Sequence, residues 1–156
     1  MSPEEFIKQR FRSRSEHSLD PKGRLNFPSR FKDVLFQYGS EVLMITAWGK
    51  HLRAYPASEW QMVEDTLLRE GRREPKLAGF IRYVISGITE CTLDKQGRLL
   101  IPAPLRSEVN ISKEVVLNGM LEFVEVWDRE AWLAEYCRER EQLDQYGDSL
   151  AKLGIL

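Results

Sequence analysis

Apolar and polar positions change period several times along this chain, and each change marks an element. Arg24-Leu25-Asn26-Phe27 alternates polar and apolar side chains, as a half-buried strand does. Pro28 closes that strand, and Phe31, Val34 and Leu35 follow at helical spacing. Val42 to Ile45 is a continuous apolar run, so strands are expected over 41–47 and 52–55. Ser58-Glu59-Trp60-Gln61 has the form of a capping box. Trp60, Val63 and Leu67 then share one face of a helix that ends at Gly71. Leu77, Phe80, Ile81, Val84 and Ile85 predict a second amphipathic helix, stopping at Gly87. The pattern then restarts. Arg98-Leu99-Leu100-Ile101 is more continuously apolar than its earlier counterpart and is expected to be better buried. Pro102 and a short helix follow, with Pro104 in its first turn and Leu105 and Val109 on its apolar side. Strands are expected over 114–117 and 123–127, and Asp128 is placed to cap a long helix lined by Trp132, Tyr136 and Leu143. Gly147 and Gly154 suit a frayed end.

The restart is an internal repeat. Residues 16–28 lie over residues 90–102 at a constant offset of 74, with seven of 13 positions identical. Tyr55-Pro56-Ala57-Ser58-Glu59-Trp60 lies over Trp127-Asp128-Arg129-Glu130-Ala131-Trp132 at an offset of 72, so the second copy is shorter by two residues. Two copies are too few for a solenoid and imply a duplicated small unit packed as a pseudo-dimer. The fold class expected is α+β: two duplicated β units packed about a pseudo-two-fold axis and flanked by helices. Each copy opens on a tight turn. Asp20-Pro21-Lys22-Gly23 has Asp, Pro and Gly where a type I turn wants them, and Asp94-Lys95-Gln96-Gly97 keeps the Asp and the Gly. Gly23 and Gly97 supply the positive φ that closes a hairpin.

Composition narrows the function. Of 156 residues 42% are hydrophobic and 30% charged, which excludes a disordered chain. No apolar run approaches the roughly 18 residues of a membrane span, and the first ten residues lack the apolar core of a secretory signal. Cys91 and Cys137 make no disulfide framework and have no zinc spacing, so a cytoplasmic, reduced chain without metal or cofactor is expected. Catalysis is not expected either. His17 aligns with Cys91, so neither serves chemistry common to both copies, and no phosphate loop or His-Glu-x-x-His is present. His51 is expected in a loop. Net charge is −1, but it is unevenly spread. Residues 1–32 carry eight basic and four acidic side chains, and residues 107–156 carry five basic and eleven acidic ones. A basic front on a neutral chain suits a polyanion partner.

The two Asp-x-x-x-Arg turns, Asp20-Pro21-Lys22-Gly23-Arg24 and Asp94-Lys95-Gln96-Gly97-Arg98, resemble those of the MraZ family. Ser86-Gly87-Ile88-Thr89-Glu90-Cys91 and Glu125-Val126-Trp127-Asp128 are similar to that family too, and the likeness runs over about 120 residues, from Phe11 to Trp132. It implies an α+β fold of two tandem AbrB-like, swapped-hairpin β units forming one pseudo-two-fold barrel flanked by helices, in a bacterial, nucleoid-associated transcriptional regulator. It further implies action on the promoter of the division and cell-wall gene cluster, recognition of short tandem DNA repeats, and assembly into closed rings. There are two departures. Residues 1–10 extend past the usual start, and Ser13 stands where the family commonly has Gly, so the basic arm is expected to run differently.

The expected organisation is a basic arm over 1–13, AbrB-like units over 14–61 and 88–131, linking helices over 62–87, and a C-terminal helix and tail over 132–156. The partners expected are double-stranded DNA and further copies of the chain, without membrane or small-molecule substrate. Arg24 and Arg98 are the first candidates for DNA readout, because arginine forks onto guanine; Gln96 suits adenine, and Lys22 and Lys95 suit phosphate. Arg12 and Arg14 are candidates for phosphate contact, or else charges that guard an edge strand. Asp20 and Asp94 cannot favour DNA directly, so they either orient the arginines or only shape the turns, as Gly23 and Gly97 do. The competing class is a non-catalytic oligomeric scaffold.

Overall fold

The computed structural model describes residues 9–156, so the first part of the basic arm, residues 1–8 with Lys8, lies outside the described residues. The first copy supplies β1 (Arg14–Ser18), β2 (Arg24–Asn26), α1 (Ser29–Phe36), β3 (Val42–Ala47) and β4 (Leu52–Pro56). Helices α2 (Ala57–Gly71) and α3 (Ala78–Gly87) follow. The second copy supplies β5 (Thr89–Thr92), β6 (Arg98–Leu100), α4 (Ala103–Glu108), β7 (Glu114–Gly119) and β8 (Val124–Asp128), then α5 (Arg129–Glu141) and α6 (Gly147–Lys152).

The strands do not pair within their own copies alone. The six-stranded sheet runs β1-β7-β8-β4-β3-β5, and β2 pairs with β6 in a separate ribbon. Exchanging each strand for its repeat counterpart reverses that order onto itself, which is the signature of a pseudo-two-fold axis. The axis passes between Arg53 and Glu125 at the centre of the β4–β8 pairing, and between Leu25 and Leu99 at the centre of the ribbon. Each opening hairpin is therefore exchanged: β1 lies on β7 of the other copy, and β5 on β3. The α+β, swapped-hairpin architecture is the expected one. The barrel, however, is not closed by hydrogen bonds. β1 and β5 remain sheet edges, because the chain leaves each of them through a tight turn into the ribbon instead of onto a further sheet strand.

One core serves both copies. Leu25, Phe27, Phe31, Leu43, Leu99, Ile101, Val115 and Val126 belong to a single buried cluster. Leu25 and Leu99 are 2% and 0% exposed and hold the inner face of the ribbon on that core. Burial of such a side chain contributes about 1.5–3 kcal/mol. The second ribbon strand is not better buried than the first. Both show the same pattern, with only the central leucine inward, so Leu100 stands 47% exposed where continuous burial was expected.

The helix starts differ from expectation in one place. Pro56 is the last residue of β4 and also the N-cap of α2, so the helix begins at Ala57 and Ser58 lies too far inside it to cap. Asp128 does occupy the N-cap of α5, but its carboxylate accepts from the Ser112 amide at 3.4 Å instead of a helix amide. His51 lies in the turn before β4, as expected of a loop residue, yet it is 9% exposed and stacked on Trp127 at 4.7 Å. Burial lowers its pKa, against the pull of Glu125 at 3.2 Å.

The described end of the arm is bolted to the body. Phe11 is fully buried, packs edge-on against Phe31 at 5.6 Å and exchanges backbone hydrogen bonds with Leu121. Ser13 then takes φ 73, a left-handed turn that glycine adopts without strain. The chain thus keeps the course that a glycine there would permit. An L-residue in that region costs about 1–2 kcal/mol, partly offset by the smaller entropy loss of serine on folding. Ser13→Gly is expected to raise stability by about 0.5–1 kcal/mol, read as a higher midpoint in thermal unfolding; a lowered midpoint would show that the serine side chain outweighs the strain.

Candidate nucleic-acid interface

The two turns are built alike. Asp20 Oδ1 accepts from the backbone amides of Lys22 at 3.0 Å and Arg24 at 2.9 Å, while Oδ2 accepts from Arg24 Nε at 2.6 Å. Asp94 Oδ1 accepts from Gln96 and Arg98, both at 2.9 Å, and Oδ2 from Arg98 Nε at 2.8 Å. One carboxylate oxygen ties the turn and the other holds the arginine, so shaping and orienting are done by the same group. Gly23 and Gly97 close the turns at φ 90 and 75, donating to Asp20 O and Asp94 O. In both carboxyls the pKa is lowered, first by the arginine backbone N–H; desolvation opposes it, and the guanidinium and the second turn amide add to the lowering.

Each turn is also fastened to the other copy. Ile101 N–H donates to Gly23 O at 2.9 Å, and Phe27 N–H donates to Gly97 O at 3.1 Å. Arg106 of α4 lies against Gly23, its guanidinium carbon 2.8 Å from where a Cβ would stand, and the Lys32 ammonium of α1 lies against Gly97. Arg106 Nε donates to Ile101 O at 3.0 Å. Any side chain at either glycine would meet both the backbone strain and these cations.

The antiparallel pairing puts Arg24 opposite Leu100 and Asn26 opposite Arg98. With Leu25 and Leu99 inward, these four residues form the outer face of the ribbon. Arg24 and Arg98 are 28% and 29% exposed, and their Nη edges are not the ones engaged by aspartate. Lys22, Lys95 and Gln96 are exposed at the turn tips. The structure brings these five candidates together, and it adds Lys32 and Arg106, which the sequence reading did not single out. The signal was there: both are cationic and they align at the repeat offset of 74, just beyond the 13 aligned residues.

Arg12 and Arg14 lie elsewhere. Arg14 begins β1, about 13 Å of strand from Ser18 and the turn that follows it. Its guanidinium lies over the Tyr136 ring at 4.8 Å and the Trp132 ring at 5.9 Å. Arg12 immediately precedes the kink at Ser13, where the backbone of Phe11 and Arg12 packs against Gly119.

Two fused copies that exchange hairpins, and so present a single β-ribbon with a cationic outer face, define a single-chain swapped-hairpin pseudo-dimer of the AbrB-like kind. The chain belongs to the MraZ family: the family model described as "MraZ protein, putative antitoxin-like" matches residues 11–82 and 84–147, one span per copy. It is 37% identical to a protein of Syntrophobacter fumaroxidans, over 93% of this chain and 97% of the relative. It is 39% identical to one of Desulforapulum autotrophicum, over 93% and 99%, and 39% identical to one of Desulfitobacterium hafniense, over 89% and 95%. All three are named "Transcriptional regulator MraZ". No helix among the described residues is long and apolar enough to cross a membrane.

A lowered aspartate pKa means that the turn ties are fully present above the ordinary value of 3.8 and are lost only as pH falls through the lower, folded value. The amide resonances of Lys22, Arg24, Gln96 and Arg98 are therefore expected to stay fixed from pH 8 to 5 in an NMR titration and to move together in stronger acid. Movement centred near neutral pH would show that another group controls the turns.

Proposed function

We propose that this protein is a sequence-specific, DNA-binding transcriptional regulator that reads short tandem promoter repeats through its β2–β6 ribbon, as a ring-shaped homo-oligomer. It acts in the cytoplasm, on the nucleoid, at the promoter of the division and cell-wall gene cluster. The observation that carries the reading is the composition of the ribbon face. Arg24 and Arg98 stand on one two-stranded ribbon, flanked by Lys22, Lys32, Lys95 and Arg106. A two-stranded ribbon fits the major groove, about 12 Å wide, where arginine forks onto guanine O6 and N7. Both arginines are held at Nε by aspartate, so each reaches the groove already oriented, with less rotamer freedom to lose on binding. Each carboxylate, which by itself would repel phosphate, is paired with its own arginine, and the surrounding lysines and Arg106 remain for the backbone. The domain organisation follows from the same reading: two AbrB-like units, with the helices after each copy outside the DNA face.

One chain offers few phosphate-facing cations on an overall charge of −1, so one repeat should be held near the nonspecific range of about 10⁻⁴–10⁻⁶ M. Linked copies raise apparent affinity by about 10²–10⁴ when their spacing lets them engage together. Surface for such assembly exists away from the ribbon. Leu68 on α2 and Leu143, Leu153 and Ile155 beyond α5 are all more than 60% exposed. Duplexes carrying one to four repeats, in register and shifted by half a helical turn, test the reading. Affinity is expected to climb steeply with in-register repeats, to fall with salt, and to drop about 10-fold or more with Arg24→Ala. Equal affinity across the series would remove the oligomeric reading, and binding indifferent to salt and to Arg24→Ala would leave a scaffold.

A further inference from the structure

The outer face of the ribbon is symmetric in its arginines and asymmetric in everything else. Arg24 and Arg98 exchange under the pseudo-two-fold axis, and so do Asn26 and Leu100. The first pair is chemically identical and the second is not. Asn26 is exposed, and Leu100 is 47% exposed, an apolar side chain held outward on a two-stranded ribbon whose inner face is already filled by Leu25 and Leu99. Nothing in the packing of the described residues calls for a leucine there, since the equivalent position of the first copy carries an asparagine in the same backbone setting.

We propose that Asn26 and Leu100 are specificity-determining residues that make the ribbon read a non-palindromic step and so fix the direction in which each chain lies on DNA. The inference rests on the reading of the ribbon as the DNA-facing surface. The chemistry of the two side chains is complementary to different bases. Asparagine bonds adenine at N6 and N7, whereas an aliphatic side chain packs on the thymine methyl group. Each stands directly across the ladder from an arginine, so the face has two unlike ends. One end is Arg24 with Leu100, suited to guanine beside thymine, and the other is Arg98 with Asn26, suited to guanine beside adenine. Side chains two residues apart on a strand are about 7 Å apart, which is about two base-pair steps. Both ends therefore meet base edges of one groove. The arginines alone cannot tell the two directions apart; the unlike pair can, and it adds to the difference between Lys22 and Gln96 at the turn tips.

The test uses the full-length chain and a pool of duplexes randomised over the bound repeat, with the enriched sequences read out for four proteins: wild type, Asn26→Leu, Leu100→Asn, and the double exchange Asn26→Leu/Leu100→Asn. All substituted positions face outward, and thermal unfolding checks that each protein is folded. Wild type is expected to enrich a non-palindromic motif. Either single substitution makes the outer face of the ribbon alike at its two ends while the turn-tip difference between Lys22 and Gln96 stays unchanged, so it should change discrimination at one base pair by about 10-fold. The double exchange restores an unlike pair the other way round, so it should swap the two preferences, with adenine favoured beside the Arg24 contact and thymine beside the Arg98 contact. Base preferences unchanged in both single variants, or a double exchange that does not swap them, would overturn this inference while leaving the DNA reading intact. A wild-type protein that enriches no sequence at all would overturn both.

Discussion

Everything in this molecule depends on the exchange of hairpins between its two copies. Among the described residues β1 pairs only with β7, β5 only with β3, and β2 only with β6. A single copy would leave its opening hairpin without a sheet to lie on and would expose the face that Leu25 and Leu99 now close together. Fusing the copies in one chain makes that exchange intramolecular, so partner concentration no longer enters the stability of the unit. The exchange also explains why the ribbon exists. Two turns 74 residues apart in sequence are placed on one antiparallel pair whose register is set by three residues a side and checked by the Ile101–Gly23 and Phe27–Gly97 hydrogen bonds.

The same constraint organises the chemistry. A tight turn by itself would leave an arginine on a mobile tip. Here aspartate ties the turn with one oxygen and the guanidinium with the other, and the helix of the opposite copy lays Lys32 or Arg106 across the turn glycine. Positive charge is thus concentrated by folding on a chain that is nearly neutral overall. Of the eleven acidic residues in 107–156, Glu108 ends α4, Glu122 lies between β7 and β8, and the others are on β7, β8, α5 and the tail, none of them on the ribbon strands themselves.

Much of this was legible in the sequence because repetition is a strong signal. The 13-residue alignment located both turns, and the Asp, Gly and Arg positions carried enough turn chemistry to place strands, prolines and helices around them. Periodicity was a weaker guide where the setting was unusual. Leu100 looked buried because three apolar residues in a row usually are, whereas a ribbon with one covered face exposes every second residue regardless of type. Ser58 had the right neighbours for a cap, but Pro56 carried strand geometry directly into the helix. The matched offset of Lys32 and Arg106 was visible in the sequence, but what they meet was not. Their place at the turns is created by the exchange, and a local pattern carries no information about which copy's helix covers which copy's turn. The same holds for the unclosed barrel, since closure depends on where the edge strands go next.

The most direct measurement is a structure by electron microscopy of the full-length protein on a duplex carrying the promoter repeats. Expected is one β2–β6 ribbon per chain seated in a major groove, with Arg24 and Arg98 both at base edges, each still paired with its aspartate, and Lys32 and Arg106 facing the flanking phosphates. DNA lying instead across the helices α2 and α3 or along α5, or a single turn in contact while the other faces solvent, would contradict the exchanged ribbon as the reading head.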